Sequence, residues 1–151
     1  MPQVTEAGLD WARRLVRFNT VSDQPNAPLI DCIADHLRTL GVPVRLTRSE
    51  GGKANLFATL GEGKPGGVIL SGHTDTVPWD GQAWTFDPLG ADVQDGRLYG
   101  RGSADMKGFI GLVVARTQAL LEADLPHGVH FAFSHDEETG CFGLRHLIAD
   151  L

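Results

Sequence analysis

Cysteine is scarce in this 151-residue chain: Cys32 and Cys141 are the two it has, and they lie far apart. Two distant thiols build neither the disulfide framework of a small secreted domain nor a CxxC metal knuckle, so both are expected to be reduced and idle. Long apolar runs are missing as well, since none approaches the roughly 20 residues that carry a helix across a bilayer. The opening Met1-Pro2-Gln3-Val4-Thr5-Glu6 lacks the basic segment and apolar stretch of a secretory signal, which makes a cytoplasmic chain the expectation. Basic clusters are absent too. With 13 Lys+Arg against 19 Asp+Glu the formal net charge is −6, which argues against nucleic acid and anionic membrane as partners. What remains is ordinary globular material: 42% hydrophobic and 21% charged residues suffice for a sizeable core and exclude disordered, collagen-like and coiled-coil classes. No repeat or low-complexity linker divides the chain, so residues 1–151 are expected to form a single domain.

Hydrophobic periodicity predicts an α/β fold, a sheet flanked by helices. Leu9, Ala12, Leu15, Val16 and Phe18 recur at helical spacing behind Thr5-Glu6, a plausible helix start. A second helix is predicted with Asn26 as its cap, Leu29, Ile30, Ile33, Leu37 and Leu40 on one stripe, and Gly41 and Pro43 as its stop. Val42 to Thr47 and Asn55 to Leu60 read as strands. The Gly/Pro-rich run from Gly61 to Gly67 reads as a turn. Val68-Ile69-Leu70 is a continuous apolar run, the pattern of a strand buried on both faces. Asp95-Gly96 between Val93 and Leu98 signals a hairpin. Met106 to Ala123 reads as one largely apolar helix ended by Pro126, Val129 to Phe133 as a second core strand, and Cys141 to Leu151 as a last helix.

Chemistry-bearing residues gather at three places, each just past a predicted core strand or inside a glycine-rich loop, where open α/β sheets bind ligands. In Ser71-Gly72-His73-Thr74-Asp75, an extended segment points His73 and Asp75 the same way. Asp75 could then hold one imidazole nitrogen while the other faces a metal; alternatively His73 is a satisfied loop histidine and Asp75 caps a turn. In Gly100 to Gly108, three glycines surround one carboxylate, Asp105. That segment lacks both the GxGxxG spacing and the GK[ST] ending of phosphate loops. Asp105 could bridge two cations about 3.5–4 Å apart, or simply cap the helix that follows. In Asp136-Glu137-Glu138 three consecutive acids either splay into solvent at a helix N-terminus or are compensated by a cation, with one carboxylate as ligand and its neighbour as general base.

Together, SGHTDTVP (Ser71 to Pro78), GRGSADMKG (Gly100 to Gly108) and DEETG (Asp136 to Gly140) resemble, in this order, the three N-terminal signatures of the M20 family of co-catalytic zinc peptidases and deacylases. Trp84, Asp87-Pro88 and Asp95 to Gly100 also fall where that family places similar residues, so the resemblance spans nearly the whole chain. It implies the N-terminal portion of a zinc-exopeptidase-like catalytic domain that uses two Zn2+, with Co2+ as a possible substitute. His73 would bind one ion, Asp105 bridge both, and Glu138 bind the second, with Glu137 as general base and Asp75 orienting His73. The Asp105–Met106 peptide would be cis. The substrate would be a small N-acyl amino acid. Ala132 to Cys141 is most similar to the members that deacetylate N-acetylornithine to ornithine and acetate in arginine biosynthesis. Succinyl-diaminopimelate desuccinylases, aminoacylases and dipeptidases share the signatures.

The resemblance also implies parts that these 151 residues do not contain: a further acidic ligand, an inserted lid that makes a homodimer, and a histidine ligand near the C-terminus. His146, between Leu144 and Leu147, is not expected to replace the last. Each zinc would then keep two protein ligands where three plus water are usual, so the expectation is a chain inactive alone. The rival of another class is a non-catalytic module that binds metal weakly or is completed by a partner polypeptide.

Overall fold

The computed structural model describes residues 4–151. The opening Met1 to Gln3, read above for a targeting signal, lies outside the described residues. Helix α1 spans Glu6–Val16, and Thr5 accepts the Gly8 N–H at 3.2 Å as its N-cap. Helix α2 spans Ala27–Thr39 and buries Leu29, Ile30, Ile33, Ala34 and Leu37 completely; Gly41 leaves it with φ +74°, a left-handed turn that favours glycine. Asn26 precedes α2 as expected but makes no side-chain cap. Its amide turns inward instead, because the interior offers it three partners that the helix end does not.

Four strands form the main sheet in the order β1-β2-β6-β3: β1 Val44–Ser49, β2 Lys53–Leu60, β3 Gly67–His73 and β6 Gly128–Ser134. Strands β1, β2 and β6 pair antiparallel, whereas β3 and β6 run parallel. Between them, β4 (Asp92–Gln94) and β5 (Arg97–Tyr99) make the expected hairpin, with φ positive at both Asp95 (51°) and Gly96 (71°) as its turn requires. One face of the sheet lies under α1 to α4. There Leu56, Ala58, Leu60, Phe131 and Phe133 pack against Leu15, Leu29, Ile33, Ile110 and Val114, all buried. Gly111 lets α3 approach α1 closely, since a Cβ there would come within 2.5 Å of the Ala12 nitrogen. Helix α5 (Phe142–Asp150) lies against β1, β2 and β6, where Asn55 donates to the Gly143 carbonyl at 2.9 Å.

Two expectations need correction. The run Val68 to Leu70 belongs to an edge strand, and Val68 and Ile69 are 60% and 57% exposed. Apolarity identified the strand, but its place in the sheet is a long-range property: among the described residues no strand pairs with the outer edge of β3. The helix predicted over Met106 to Ala123 is two helices, α3 (Lys107–Ala115) and α4 (Thr117–Glu122). Buried Thr117 donates its hydroxyl to the Val114 carbonyl at 2.8 Å, and Arg116 N–H turns back to Val113 rather than to the residue four before it. A side chain that competes for helix carbonyls breaks the ladder there.

Candidate metal centre

Parallel pairing of β3 with β6 builds the site. Their register sets His73 opposite Ser134 at the C-terminal ends of both strands, and Thr74 N–H continues the pairing to the Ser134 carbonyl at 2.8 Å. The first and third clusters, more than 60 residues apart in the chain, therefore leave the sheet side by side. Helix α3 links the two strands, packing Ile110 against Gly72, and the loop before α3 delivers the second cluster to the same end.

His73 is buried and fixed at both nitrogens. Nδ1 lies 3.0 Å from the main-chain oxygen of Asp75 and 3.6 Å from its carboxylate, while Nε2 lies 3.0 Å from Asp105 Oδ1 and 3.9 Å from Glu137 Oε2. A carbonyl only accepts hydrogen bonds, so Nδ1 carries a proton and Nε2 is the nitrogen left to ligate when the ring is neutral. The Asp75 carboxylate, 1% exposed, does more than face the ring. It accepts the N–H groups of Glu137 at 3.0 Å and Glu138 at 3.2 Å, and the Ser22 hydroxyl at 2.7 Å. One side chain thus grips both motifs. Burial opposes charge on Asp75, but the bonds from His73, Ser22, Glu137 and Glu138 win and hold its carboxyl down at about 2. Burial also opposes charge on His73, yet its bonds to Asp75 and Asp105 and the Asp75 charge raise it to about 9.

Below these groups lies a layer of satisfied polar side chains. Asn26 donates to the Ala54 carbonyl at 2.8 Å and the Thr74 hydroxyl at 2.7 Å, and accepts the Ala54 N–H at 2.8 Å. Thr20 donates to the Thr74 carbonyl at 2.6 Å. Lys107, fully buried, points its ammonium at the Phe18 carbonyl, 2.9 Å away, and burial lowers its pKa to about 8. The Asp105–Met106 peptide is cis, as the resemblance implied.

Above it Asp105 and Glu137 are exposed and Glu138 is half-buried. Asp105 is 75% exposed and Glu137 46% exposed at the side chain. Ligand atoms of His73, Glu137 and Glu138 fall within 4.8 Å of one another. Glu138 is pushed up first by burial, against the pull of the His73 charge, and then by the charges of Asp105, Glu137 and Asp75. Among the described residues, no lysine or arginine pairs with Glu137 or Glu138; the nearby ammonium of Lys53 is taken by Asp136 at 2.8 Å. An imidazole whose Nε2 faces Asp105 and Glu137, among carboxylates that repel one another, is the donor set of a zinc-like cation, so the residues present fit a metal.

Two of the alternatives left open by the sequence are decided by position. Met106, not Asp105, occupies the position before α3, and no side chain caps that helix. The acids Asp136 to Glu138 are not a helix's first turn, because α5 begins at Phe142. All five expected site residues, His73, Asp75, Asp105, Glu137 and Glu138, converge, although the tightest group has Glu137 in place of Asp105. His146 is exposed on α5, its ring stacked 6.4 Å from that of His135. Sequence reasoning passed over Ser22, Lys53 and Lys107, and read Asn26 only as a helix cap. Lys107 sits inside a quoted motif, and a charged residue opening an apolar helix was a legible signal; Ser22 and Lys53 carried none.

Comparison with known proteins gives the same picture. A sequence profile described as peptidase family M20/M25/M40 matches residues 69–151. Acetylornithine deacetylase of Proteus mirabilis is 43% identical over 153 residues, covering 94% of this chain and 38% of that protein. The Pasteurella multocida acetylornithine deacetylase is 43% identical over 128 residues, 83% of this chain and 33% of that protein. Among solved structures, human carnosine dipeptidase 1 superposes with a TM-score of 0.77 at 30% identity, over 95% of this chain and 34% of that one. An M20 family metallo-carboxypeptidase from Sulfolobus solfataricus reaches 0.81 at 20% identity, over 97% of this chain and 34% of that one, and so shares the fold. The chain therefore spans about two fifths or less of the length of the relatives it matches.

Proposed function

Because this chain belongs to the peptidase family M20/M25/M40, we propose that it is the N-terminal part of the catalytic domain of a zinc-dependent amide hydrolase that deacetylates N-acetylornithine. The observation that carries the reading is the meeting of His73, Glu137 and Glu138 within 4.8 Å, beside Asp105, at the ends of two parallel strands. The 43% identity to acetylornithine deacetylases supports the substrate.

His73, Asp105 and Glu138 would hold two zinc ions, with Asp105 shared and cobalt an acceptable substitute. Bound there, the cations would supply the positive charge that acidifies water to a pKa of about 7 and polarises an amide carbonyl. Glu137, exposed and within 3.9 Å of His73 Nε2, holds the attacking water, removes its proton, and returns that proton to the nitrogen of the leaving amine. Asp75 keeps Glu137 in reach through the Glu137 N–H and keeps Nδ1 of His73 protonated through its own carbonyl. The products are acetate and ornithine, an arginine precursor, and the cytoplasm is the proposed place of the work. The remaining ligands and a homodimerising lid would come from polypeptide beyond these residues, leaving this portion inactive alone.

The test uses the complete reading frame, loaded with zinc or cobalt and offered N-acetylornithine, succinyl-diaminopimelate and a dipeptide such as carnosine. Preferred turnover of N-acetylornithine, lost in Glu137→Ala while metal stays bound, is the expected result. Unchanged turnover in that variant removes Glu137 from its role, and preference for the dipeptide favours the dipeptidase reading that the 30% identity to carnosine dipeptidase 1 supports. Absence of any hydrolysis, with metal bound, favours a non-catalytic module.

A further inference from the structure

Beneath the acid turn, hydrogen bonds close a ring that the proposed chemistry leaves unused. Lys53 opens β2 with its side chain only 10% exposed, and its ammonium donates to Asp136 Oδ1 at 2.8 Å and to the Ser22 carbonyl at 2.5 Å. The Ser22 hydroxyl donates to Asp75 Oδ2 at 2.7 Å. Asp75 in turn accepts the N–H groups of Glu137 and Glu138, and Glu137 follows Asp136 in the chain, which completes the circuit. Four segments remote in sequence contribute: the loop after α1, the start of β2, the loop after β3 and the loop after β6.

Two features bear on what the ring does beyond adding an ion pair. Asp136 has φ +55°, a left-handed conformation uncommon for L side chains and more accessible to aspartate than to most. Its side chain is held at Oδ1 by Lys53 and lies 2.9 Å from His135 Nδ1 through Oδ2, so Lys53 fixes one of the two sides of the residue from which Glu137 and Glu138 follow. Ser22 is itself anchored, its N–H donating to the Thr76 carbonyl at 3.2 Å next to Asp75 and its neighbour Val21 bridged to Thr76. The hydroxyl therefore holds the Asp75 carboxylate in the rotation that receives both glutamate N–H groups.

We propose that Ser22 and Lys53 are positioning residues of the metal centre, aiming the Glu137 and Glu138 carboxylates at His73 from below. The proposal rests on the metal reading given above. Neither residue touches a ligand-bearing face of the site; both act through Asp75 and Asp136.

The experiment takes the complete reading frame stripped of metal and titrates it with Co2+, reading affinity by calorimetry and ligand geometry by the visible absorption of the bound ion, with thermal unfolding of the metal-free form alongside. Ser22→Ala and Lys53→Met are expected to weaken Co2+ binding about 10- to 100-fold, the usual effect of removing an outer partner of a metal ligand, and to alter the absorption bands. Ser22→Thr and Lys53→Arg are expected to restore most of both. Unchanged affinity and spectrum, with only a lowered unfolding temperature, would make the ring a structural brace and overturn the proposal. If Lys53→Met does not fold, Ser22→Ala, which removes a single hydroxyl, decides the matter by the same readouts. Failure of the unsubstituted complete protein to bind Co2+ would remove the metal reading and this proposal with it, an outcome distinct from equal binding by all variants.

Discussion

The layer beneath the candidate centre and the rim above it are built from similar residue types and behave in opposite ways. Asn26, Thr74 and Asp75 are buried with hydrogen bonds on hand, whereas Asp105 and Glu137 are exposed and converge without an ion-pairing lysine or arginine. A buried polar group left unpaired costs about 1–3 kcal/mol, so the lower layer is satisfied because the fold depends on it. The rim lies in water, where unneutralised carboxylates are affordable in the fold and useful to a cation. Stability therefore resides below and chemistry above.

The comparison breaks most visibly at Glu137. In the complete enzyme Glu137→Ala is expected to lower turnover by about 10²- to 10⁴-fold, the range for a lost general base, while the unfolding temperature of the same protein stays put. A matching fall in stability would show that rim and support are not separable.

Acidity gives the next largest effect. Metal must displace the proton on His73, whose pKa stands at about 9 without metal, so Co2+ affinity is expected to rise about tenfold per pH unit from pH 7 and to level off near pH 9. The metal-free chain follows the opposite course. A raised histidine stabilises fully below its ordinary 6.5 and loses that contribution as pH climbs through about 9. A depressed aspartate stabilises above its ordinary 3.8 and loses that contribution as pH falls through about 2. As the two share one interaction, denaturant unfolding should show a plateau between those ordinary values and a decline of about 2–3 kcal/mol on either side. Metal affinity that is flat from pH 7 to 9 would contradict the arrangement at His73.

In the lower layer, Asn26→Ala removes three hydrogen bonds and strands the Ala54 N–H in the interior. Urea unfolding of the chain is expected to report a loss of about 2–3 kcal/mol. The smallest effect belongs to the rim: Asp105→Asn, at a side chain 75% exposed, should change stability by less than about 0.5 kcal/mol while weakening metal binding. A large destabilisation there would blur the distinction between the two layers.

Much of the fold was legible because local patterns carry local information. The α2 stripe, the Asp95-Gly96 turn and the alternation in β6 appear where periodicity and turn chemistry put them. The site was legible because its residue types are unusual together: a histidine two before an aspartate, a carboxylate among glycines, and consecutive acids. Misreadings share one cause. Asn26 looked like a cap, Val68 to Leu70 like a covered strand and Met106 to Ala123 like one helix, and each was overruled by partners distant in the chain: Ala54 and Thr74 for Asn26, the edge of the sheet for β3, the burial of Thr117 for the helix.

The sequence by itself determined the inventory of elements and the identity of the groups fit to hold a cation, since hydrophobic period and side-chain chemistry are properties of neighbouring residues. Tertiary structure alone decided which of those groups meet, through the register that sets His73 against Ser134, and which residues hold them there. Ser22 and Lys53 have no local pattern to announce them. Their role exists only because hydrogen bonds act over about 3 Å, and only the folded chain brings four distant segments within that reach.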